Sequence, residues 1–391
     1  MRVLVVHNRY SSRVPSGENL AVDDEVRWLR EAGVDVHTHE VSNDDVLGAR
    51  QSDQLRQAVA SVWSFSAQRN VTAVLDRVQP DVVHVHNLFP LLSASVLWRA
   101  IGRTPVVWTV HNHRVLCVAG TNFRNGAPCH LCHPGWRLPG IRYSCYSRSE
   151  IGSAVITVAS SIFRGIAKRR VTALAISNNV RDWLVGSAGF PAERVRVKHN
   201  GVDGPPSDDV PPAAGRRVFL FAGHVTDYKG IPLLLDAWER AQLPDDVELR
   251  IVGDGPLADA VATAAAKDAR IVPVGQVPAT GMPTHFAAAR AVVFPSLWEE
   301  PFGRSAAEAL AYSRPVITTG SGGLSEIVDD HCGWITGRSP EVLARALEAA
   351  ANDDAAIVQR AEAGRRRYAD CFSPEATTAE LVRIYENEMK R

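Results

Sequence analysis

Two glutamates, Glu300 and Glu308, stand in the stretch of the chain densest in chemistry, residues 294–310, Phe-Pro-Ser-Leu-Trp-Glu-Glu-Pro-Phe-Gly-Arg-Ser-Ala-Ala-Glu-Ala-Leu. An apolar run ends at Pro295, a polar loop follows, and Pro301 and Gly303 mark the entry to an alanine-rich helix. A helix start at the end of a strand presents free N–H groups and partial positive charge, a seat for phosphate or for sugar hydroxyls. Carboxylates accept well from diols, so Glu300 in the loop suits sugar hydroxyls, and Glu308, one to two turns into the helix, suits a ribose. Two ordinary exposed glutamates, one near a helix start where acids are favoured, explain the pair as well on these residues alone. Lys229, in the loop after another strand, offers a cation to a leaving diphosphate, with a solvated surface lysine as the alternative. Lysine is scarce here, five among 43 basic residues, so one at such a position stands out. His111 closes the strand 106–110 in Thr-Val-His-Asn-His, where a bare strand-end cap is the plainer role. No Asp-x-Asp occurs, the pair that commonly holds a diphosphate through a divalent metal, so neutralisation falls to Lys229 and helix starts.

The elements that must position these residues follow from the hydrophobic pattern. Short β-type runs alternate with helical stretches throughout, as in parallel sheets covered by helices on both faces. Residues 3–7, 34–41, 82–86, 106–110 and 172–177 read as buried strands, and a second series begins at 218–222, followed by 248–252, 270–274, 291–295 and 316–319. The intervening 201–216, rich in Pro, Asp and Gly, has linker composition. The expectation is α/β: two Rossmann-like, doubly wound domains, 1–200 and 217–373, facing across a cleft, with ligands beyond the carboxyl ends of the strands. Residues 374–391 read as an amphipathic helix, with Leu381, Ile384 and Tyr385 on one side, placed to cross back to the first domain.

The 43 basic and 43 acidic side chains cancel, which excludes a whole-molecule attraction to nucleic acid or to an anionic membrane. Residues 1–8 are too short for the core of a signal peptide, so a cytoplasmic location is expected. The apolar run 151–163 falls short of the roughly 18–20 residues that span a bilayer. It leads into Arg164, Lys168, Arg169 and Arg170, and reads as a core helix with a solvated basic end. The same pattern leaves open peripheral contact with the inner membrane face.

Glu300 and Glu308, within Glu-Pro-Phe-Gly and Glu-Ala-Leu, resemble the paired-glutamate motif of glycosyltransferase family 4 (glycosyl transferase group 1), retaining enzymes of the GT-B fold. The resemblance spans nearly the whole chain. It includes Ala-Gly-His-Val-Thr-Asp-Tyr-Lys-Gly at 222–230, Val-Gly-Asp-Gly-Pro at 252–256 and Gly-Gly-Leu-Ser-Glu-Ile-Val at 322–328. In the first half it includes Ile-Ser-Asn-Asn-Val-Arg-Asp at 176–182 and His-Asn-Gly-Val-Asp at 199–203.

The resemblance implies metal-independent, retaining transfer of a hexose-type sugar from a UDP or GDP sugar to a glycan, a lipid-linked sugar or a small molecule. No cofactor is needed for catalysis. It assigns the first domain to the acceptor and the second to the nucleotide sugar. His111, Glu300 and Lys229 would serve the reaction, with His111 beside the anomeric carbon or shaping the acceptor pocket. Gly17, Gly223, His224, Lys229, Gly253, Val277, Phe302, Gly303, Arg304 and Glu308 would hold the ligands. His224 stands where the family places Arg, losing the bidentate fork, so Arg304 is a substitute cation. Ser16 interrupts the usual double glycine before Gly17, which makes a stiffer loop. No second carboxylate stands out as a nucleophile, which favours front-face attack with the departing phosphate as base. A pseudo-glycosyltransferase or binding protein of the same fold is the second reading: His224 and Ser16 favour it, and the intact Glu300, Glu308, Lys229 and His111 oppose it. An epimerase needs other acid and base residues, and a dehydrogenase needs a Gly-x-Gly-x-x-Gly that does not follow the first strand. Donor base, acceptor and oligomeric state, monomer or homodimer, stay open.

Cys117, Cys129, Cys132 and Cys145, spaced Cys-x11-Cys-x2-Cys-x12-Cys, fall in an insertion, 112–146, rich in Gly, Pro and Arg. A central Cys-x-x-Cys flanked by two more cysteines reads as a structural zinc knuckle, with His130 and His133 as alternate ligands. Disulfides are the weaker explanation in a cytoplasmic chain, and free thiols remain. Cys332 and Cys371 read as core packing, and His84 and His86 as satisfied core or rim histidines.

Overall fold

A computed structural model describes residues 1–12, 16–46, 58–133, 137–205 and 210–391. Residues 206–209 of the expected linker and 134–136 of the cysteine insertion lie outside the described residues.

Fourteen strands are described. They are β1 (Arg2–Arg9), β2 (Asp35–Ser42), β3 (Val82–Val85), β4 (Val106–Val110), β5 (Phe123–Arg124), β6 (Ala127–Pro128), β7 (Thr172–Ala175) and β8 (Val195–Val197), then β9 (Val218–Ala222), β10 (Glu248–Val252), β11 (Ile271–Gly275), β12 (Ala289–Phe294), β13 (Val316–Thr318) and β14 (Gly333–Ile335). Two six-stranded parallel sheets result, in the orders β2-β1-β3-β4-β7-β8 and β11-β10-β9-β12-β13-β14. Strand order reverses between β1 and β3 in the first and between β9 and β12 in the second. These switch points leave a crevice beyond the strand ends, where open α/β sheets bind ligands.

The chain divides into two compact units. One comprises Met1–Asn122, Cys129–Gly201 and Thr377–Arg391, and the other Phe123–Pro128 and Val202–Ala376. Central strands are continuously apolar because helices cover both faces, and Val3, Leu4, Val5 and Val6 of β1 are wholly buried. Strand β2, expected as buried, is instead an edge strand whose Asp35, His37 and Thr38 are exposed. Its one ladder partner and its polar alternation leave only Val36 to the core. The three-residue strands β8 and β14 were too short to carry a periodic signal. The helix Pro374–Met389 returns to the first unit, where Leu381, Ile384 and Tyr385 pack with Val3, Val5, Val22 and Leu29. In the second unit Phe219, Phe221, Leu249, Ile251 and Val293 meet Leu234 and Trp238 of the helix Ile231–Arg240.

Helix Glu150–Arg170 buries Ser153, Ile156, Ala159, Ser160, Phe163 and Ala167, a three-to-four-residue spacing that docks one face. Among the described residues it is the one helix long and apolar enough to cross a membrane by length and composition. Cys332 is buried, but Cys371, at the end of the helix Asp354–Cys371, is exposed, which corrects its reading as a core residue.

Candidate functional site

The loops after β9 and β12 flank the switch point of the second sheet, and they bring Lys229 and Glu300 together. Lys229 Nζ lies 2.6 Å from Glu300 Oε1, and Ser296 Oγ donates to the same oxygen at 2.7 Å. The carboxylate is buried, whereas the ammonium is partly exposed and sits 5.2 Å from the centroid of the Trp298 ring. Glu300 Oε2 accepts no hydrogen bond among the described residues, and the buried Trp298 Nε1–H donates none. The two loops are joined where Leu297 N–H donates to Tyr228 O at 2.8 Å. Gly230, at φ 80°, lets them close: a Cβ there would stand 1.9 Å from Pro295 O.

Beyond Glu300 the chain turns through Gly303, at φ 109°, into the helix Arg304–Ala311, whose start no side chain caps. Its N-terminal N–H groups and partial positive charge therefore face the loop that holds Glu300. An ammonium, a buried carboxylate with an open lone-pair face and an uncapped helix start together suit a phosphorylated polyol.

The other expected residues have more varied surroundings. Arg304 Nε donates to Glu308 Oε1 at 2.9 Å, one turn along the helix. His224 is exposed, and Val277 is half-buried in the loop after β11. Gly223 N–H donates to Val252 O at 3.0 Å and Gly253 N–H to Gly275 O at 2.8 Å, tying the tips of β9, β10 and β11 together. Phe302 is buried, with its ring 5.8 Å from Phe372, so its side chain serves the core.

In the first unit His111 follows β4 and lines a pocket with Glu18, Phe89, Trp108, Asn112 and Arg114. Ser16, at the interrupted double glycine, has a positive role: its hydroxyl accepts from Asn19 N–H and caps the helix Gly17–Glu31. Gly17 is the first residue of that helix, with open space where a Cβ would stand. Glu18 Oε2 accepts from Tyr10 OH at 3.2 Å and Asn112 Nδ2 at 3.3 Å. Burial raises the Glu18 carboxyl to about 7, against the pull of Arg114. The folded state therefore holds a proton that the unfolded chain releases near pH 4.3, and stability from this group falls as pH rises from there to about 7. Melting temperatures followed across that window should decline less in Glu18→Gln than in the wild type; parallel curves would refute the assignment.

Beneath His111, sequence reasoning read His84 and His86 as core or rim histidines and missed the two charged groups beside them, Glu25 and Lys198. Glu25 Oε2 pairs with Lys198 Nζ at 2.7 Å, and both are buried. Glu25 Oε1 lies 3.2 Å from His84 Nδ1 and 3.4 Å from His86 Nε2. His86 Nδ1 in turn lies 2.9 Å from His111 Nε2. Burial lowers the His86 pKa to about 3 and holds that of His111 well below the ordinary imidazole value. Glu25, inward on an amphipathic helix, was readable only as the end of the acidic run Asp23-Asp24-Glu25.

Of the cysteine insertion, β5 and β6 pair through Asn125 and Gly126, both at positive φ, the turn that an Asn-Gly pair favours. Among the described residues none of its four cysteines is in a disulfide, and burial raises the Cys132 thiol. Among the described residues, the one group of three or more metal-ligating side chains with donor atoms within 4.8 Å of one another is Glu25, His84 and His86.

Two parallel doubly wound sheets, each with polar residues at its switch point, define a two-unit α/β architecture that binds ligands beyond its strand ends. The family model described as Glycosyltransferase Family 4 matches residues 16–204, and that described as Glycosyl transferases group 1 matches 216–353. The chain belongs to this family of glycosyltransferases. It is 26% identical to alpha-maltose-1-phosphate synthase of Mycolicibacterium smegmatis, over 98% of this chain and 99% of the relative. Among solved structures it is similar to HepE of Anabaena in complex with UDP-glucose, at TM-score 0.68 and 17% identity, covering 99% of this chain and 100% of that one. Sucrose-phosphate synthase from Thermosynechococcus elongatus is similar at TM-score 0.71 and 18% identity, covering 99% and 98%. The fold is therefore GT-B.

Proposed function

We propose that this glycosyltransferase moves a hexose-type sugar from a UDP or GDP sugar to a hydroxyl of a glycan, lipid-linked or small-molecule acceptor, with retention and without a catalytic metal. The observation that carries the reading is the Lys229–Glu300 pair at the switch point of the second sheet, beside an uncapped helix start. Lys229 and the helix start offset charge on the departing diphosphate, and Glu300 accepts from hydroxyls of the donor sugar. Glu308 reaches the ribose. The bond from anomeric carbon to phosphate oxygen breaks as the acceptor oxygen bonds on the same face, and the acceptor's proton passes to the departing phosphate. The acceptor hydroxyl enters the pocket of the first unit that Glu18 and His111 line. A neutral His111 there accepts a hydrogen bond from that hydroxyl. The complex of the structural neighbour HepE with UDP-glucose supports a uridine donor as the first choice.

The test is a thermal-shift panel of UDP-, GDP-, ADP- and TDP-sugars in EDTA, followed by NMR of the product formed from the sugar that stabilises. A ligand at 100 times its Kd stabilises by about 2.7 kcal/mol. One sugar should raise the melting temperature in EDTA and yield a product of unchanged anomeric configuration. Inversion, or a shift that requires added magnesium, would refute the reading.

A further inference from the structure

We propose that Lys198, Glu25 and His86 form a buried positioning relay that fixes His111 with its proton on Nε2, leaving Nδ1 bare as the hydrogen-bond acceptor offered to a ligand hydroxyl. The argument begins at the buried end. Lys198 Nζ stands 2.7 Å from Glu25 Oε2, so the carboxylate stays ionised, its pKa well below the ordinary carboxylate range despite full burial. Its other oxygen lies 3.4 Å from His86 Nε2. A neutral imidazole has one N–H and one lone pair, and a lone pair aimed at an anion in a dry interior is repelled. His86 therefore carries its proton on Nε2, toward Glu25, and its Nδ1 is an acceptor.

The 2.9 Å contact between His86 Nδ1 and His111 Nε2 then admits one donor, the Nε2–H of His111. The rings stack with centroids 5.2 Å apart and planes 22° from parallel, and Trp108 Nε1–H donates to His86 O at 3.1 Å, which holds the second ring in place. Among the described residues His111 Nδ1 has no hydrogen-bond partner, while His111 lines the pocket.

Glu25, His84 and His86 have a spacing also found at cation sites. Here Lys198 already supplies the positive charge. His84 Nδ1 lies 2.6 Å from Tyr385 OH and 3.2 Å from Glu25 Oε1, and its Nε2 lies 2.7 Å from Thr109 Oγ1. The returning C-terminal helix thus holds the histidine beside the relay, and Thr109 lies two residues before His111. The relay is complete without an ion.

The consequence for the ligand is specific. His111 can accept a hydrogen bond from a hydroxyl at Nδ1 and cannot donate there, so a ligand bearing only an acceptor at that point, such as an ether oxygen, meets two lone pairs and is rejected. The tautomer follows from these contacts with Glu25 ionised and the imidazoles neutral, while the selectivity rests on the glycosyl-transfer reading.

The experiment is a long-range proton–nitrogen correlation spectrum of the full-length protein labelled with 15N-histidine, with the His111 signals identified by their loss in His111→Gln. In the wild type Nε2 should be the protonated nitrogen and Nδ1 the bare one; the reverse pattern would overturn the proposal. The double variant Glu25→Leu with Lys198→Met removes both charges at similar volume, which frees His86 to take either tautomer. In it the His111 nitrogens should report a mixture, and kcat should fall at least about tenfold with nucleotide-sugar affinity unchanged. A double variant that keeps His111 wholly Nε2-protonated would show that the relay does not set the tautomer. The spectrum needs no turnover, so failure of the relay and failure of the transferase reading are separable.

Discussion

Lys229→Ala is expected to lower the transfer rate by about 10²- to 10³-fold, the loss typical when one preorganised charge or donor is removed from a developing anion. The fold should survive, because the ammonium is partly exposed and its neighbours Tyr228 and Trp298 keep their ring contact at 5.4 Å. Glu300→Gln is the companion. It keeps a group that Ser296 Oγ can reach, but it removes the anion that holds Lys229 at 2.6 Å. Donor affinity and kcat should both fall, since the cation loses its anchor and the sugar loses its charged acceptor. Steady-state kinetics with the donor varied, alongside melting curves to confirm folding, checks both. Full turnover in both variants would remove the site from the account.

Lys198→Met is expected to cost about 3–5 kcal/mol of stability, because it strands an ionised carboxylate in the interior. At roughly 2–4 °C per kcal/mol for a unit of this size, the melting temperature should fall by about 10 °C. The double variant with Glu25→Leu should recover much of the loss, since two apolar groups of similar volume replace a desolvated pair. Acidity gives a second signature. The folded pKa of Glu25 is depressed below the unfolded value near 4.3, so the unfolded state binds the extra proton and stability rises with pH between the two. The contribution is full above about pH 5 and is lost as pH falls through the folded value. Urea titrations at neutral and acid pH should show the double variant losing less stability on acidification than the wild type. Equal losses would place the acid sensitivity elsewhere.

The legibility of the sequence differed between the fold and the site. Buried parallel strands advertise themselves, because helices on both faces force continuous Val, Ile, Leu and Ala runs, and Val3–Val6 is such a run. Strand β2 misled because an edge position tolerates the polar residues that its apolar bracket, Val34 to Val41, concealed. The loops after β9 and β12 were legible as motifs, since glycines such as Gly230 and Gly303 mark backbone that no other residue permits. What the motifs could not show was partnership. That Lys229 meets Glu300 depends on β9 and β12 being neighbours across a break in strand order. Arg304, read as a cation for phosphate, also pairs with Glu308 one helical turn along, a local contact that the motif left unread. The relay beneath His111 was invisible for the same reason, because Glu25, His86 and Lys198 come from three separate segments. Cys371 sits at the exposed end of its helix, where no tertiary contact calls for a thiol.

The most direct measurement of the central claim is calorimetric titration of UDP and GDP into wild type and Lys229→Ala, each in EDTA and again in magnesium. The account predicts that one nucleotide binds the wild type equally in EDTA and magnesium, and that the variant binds it at least about tenfold more weakly, a loss of about 1.4 kcal/mol. Unaltered affinity in the variant, or wild-type binding that appears only with magnesium, would contradict it.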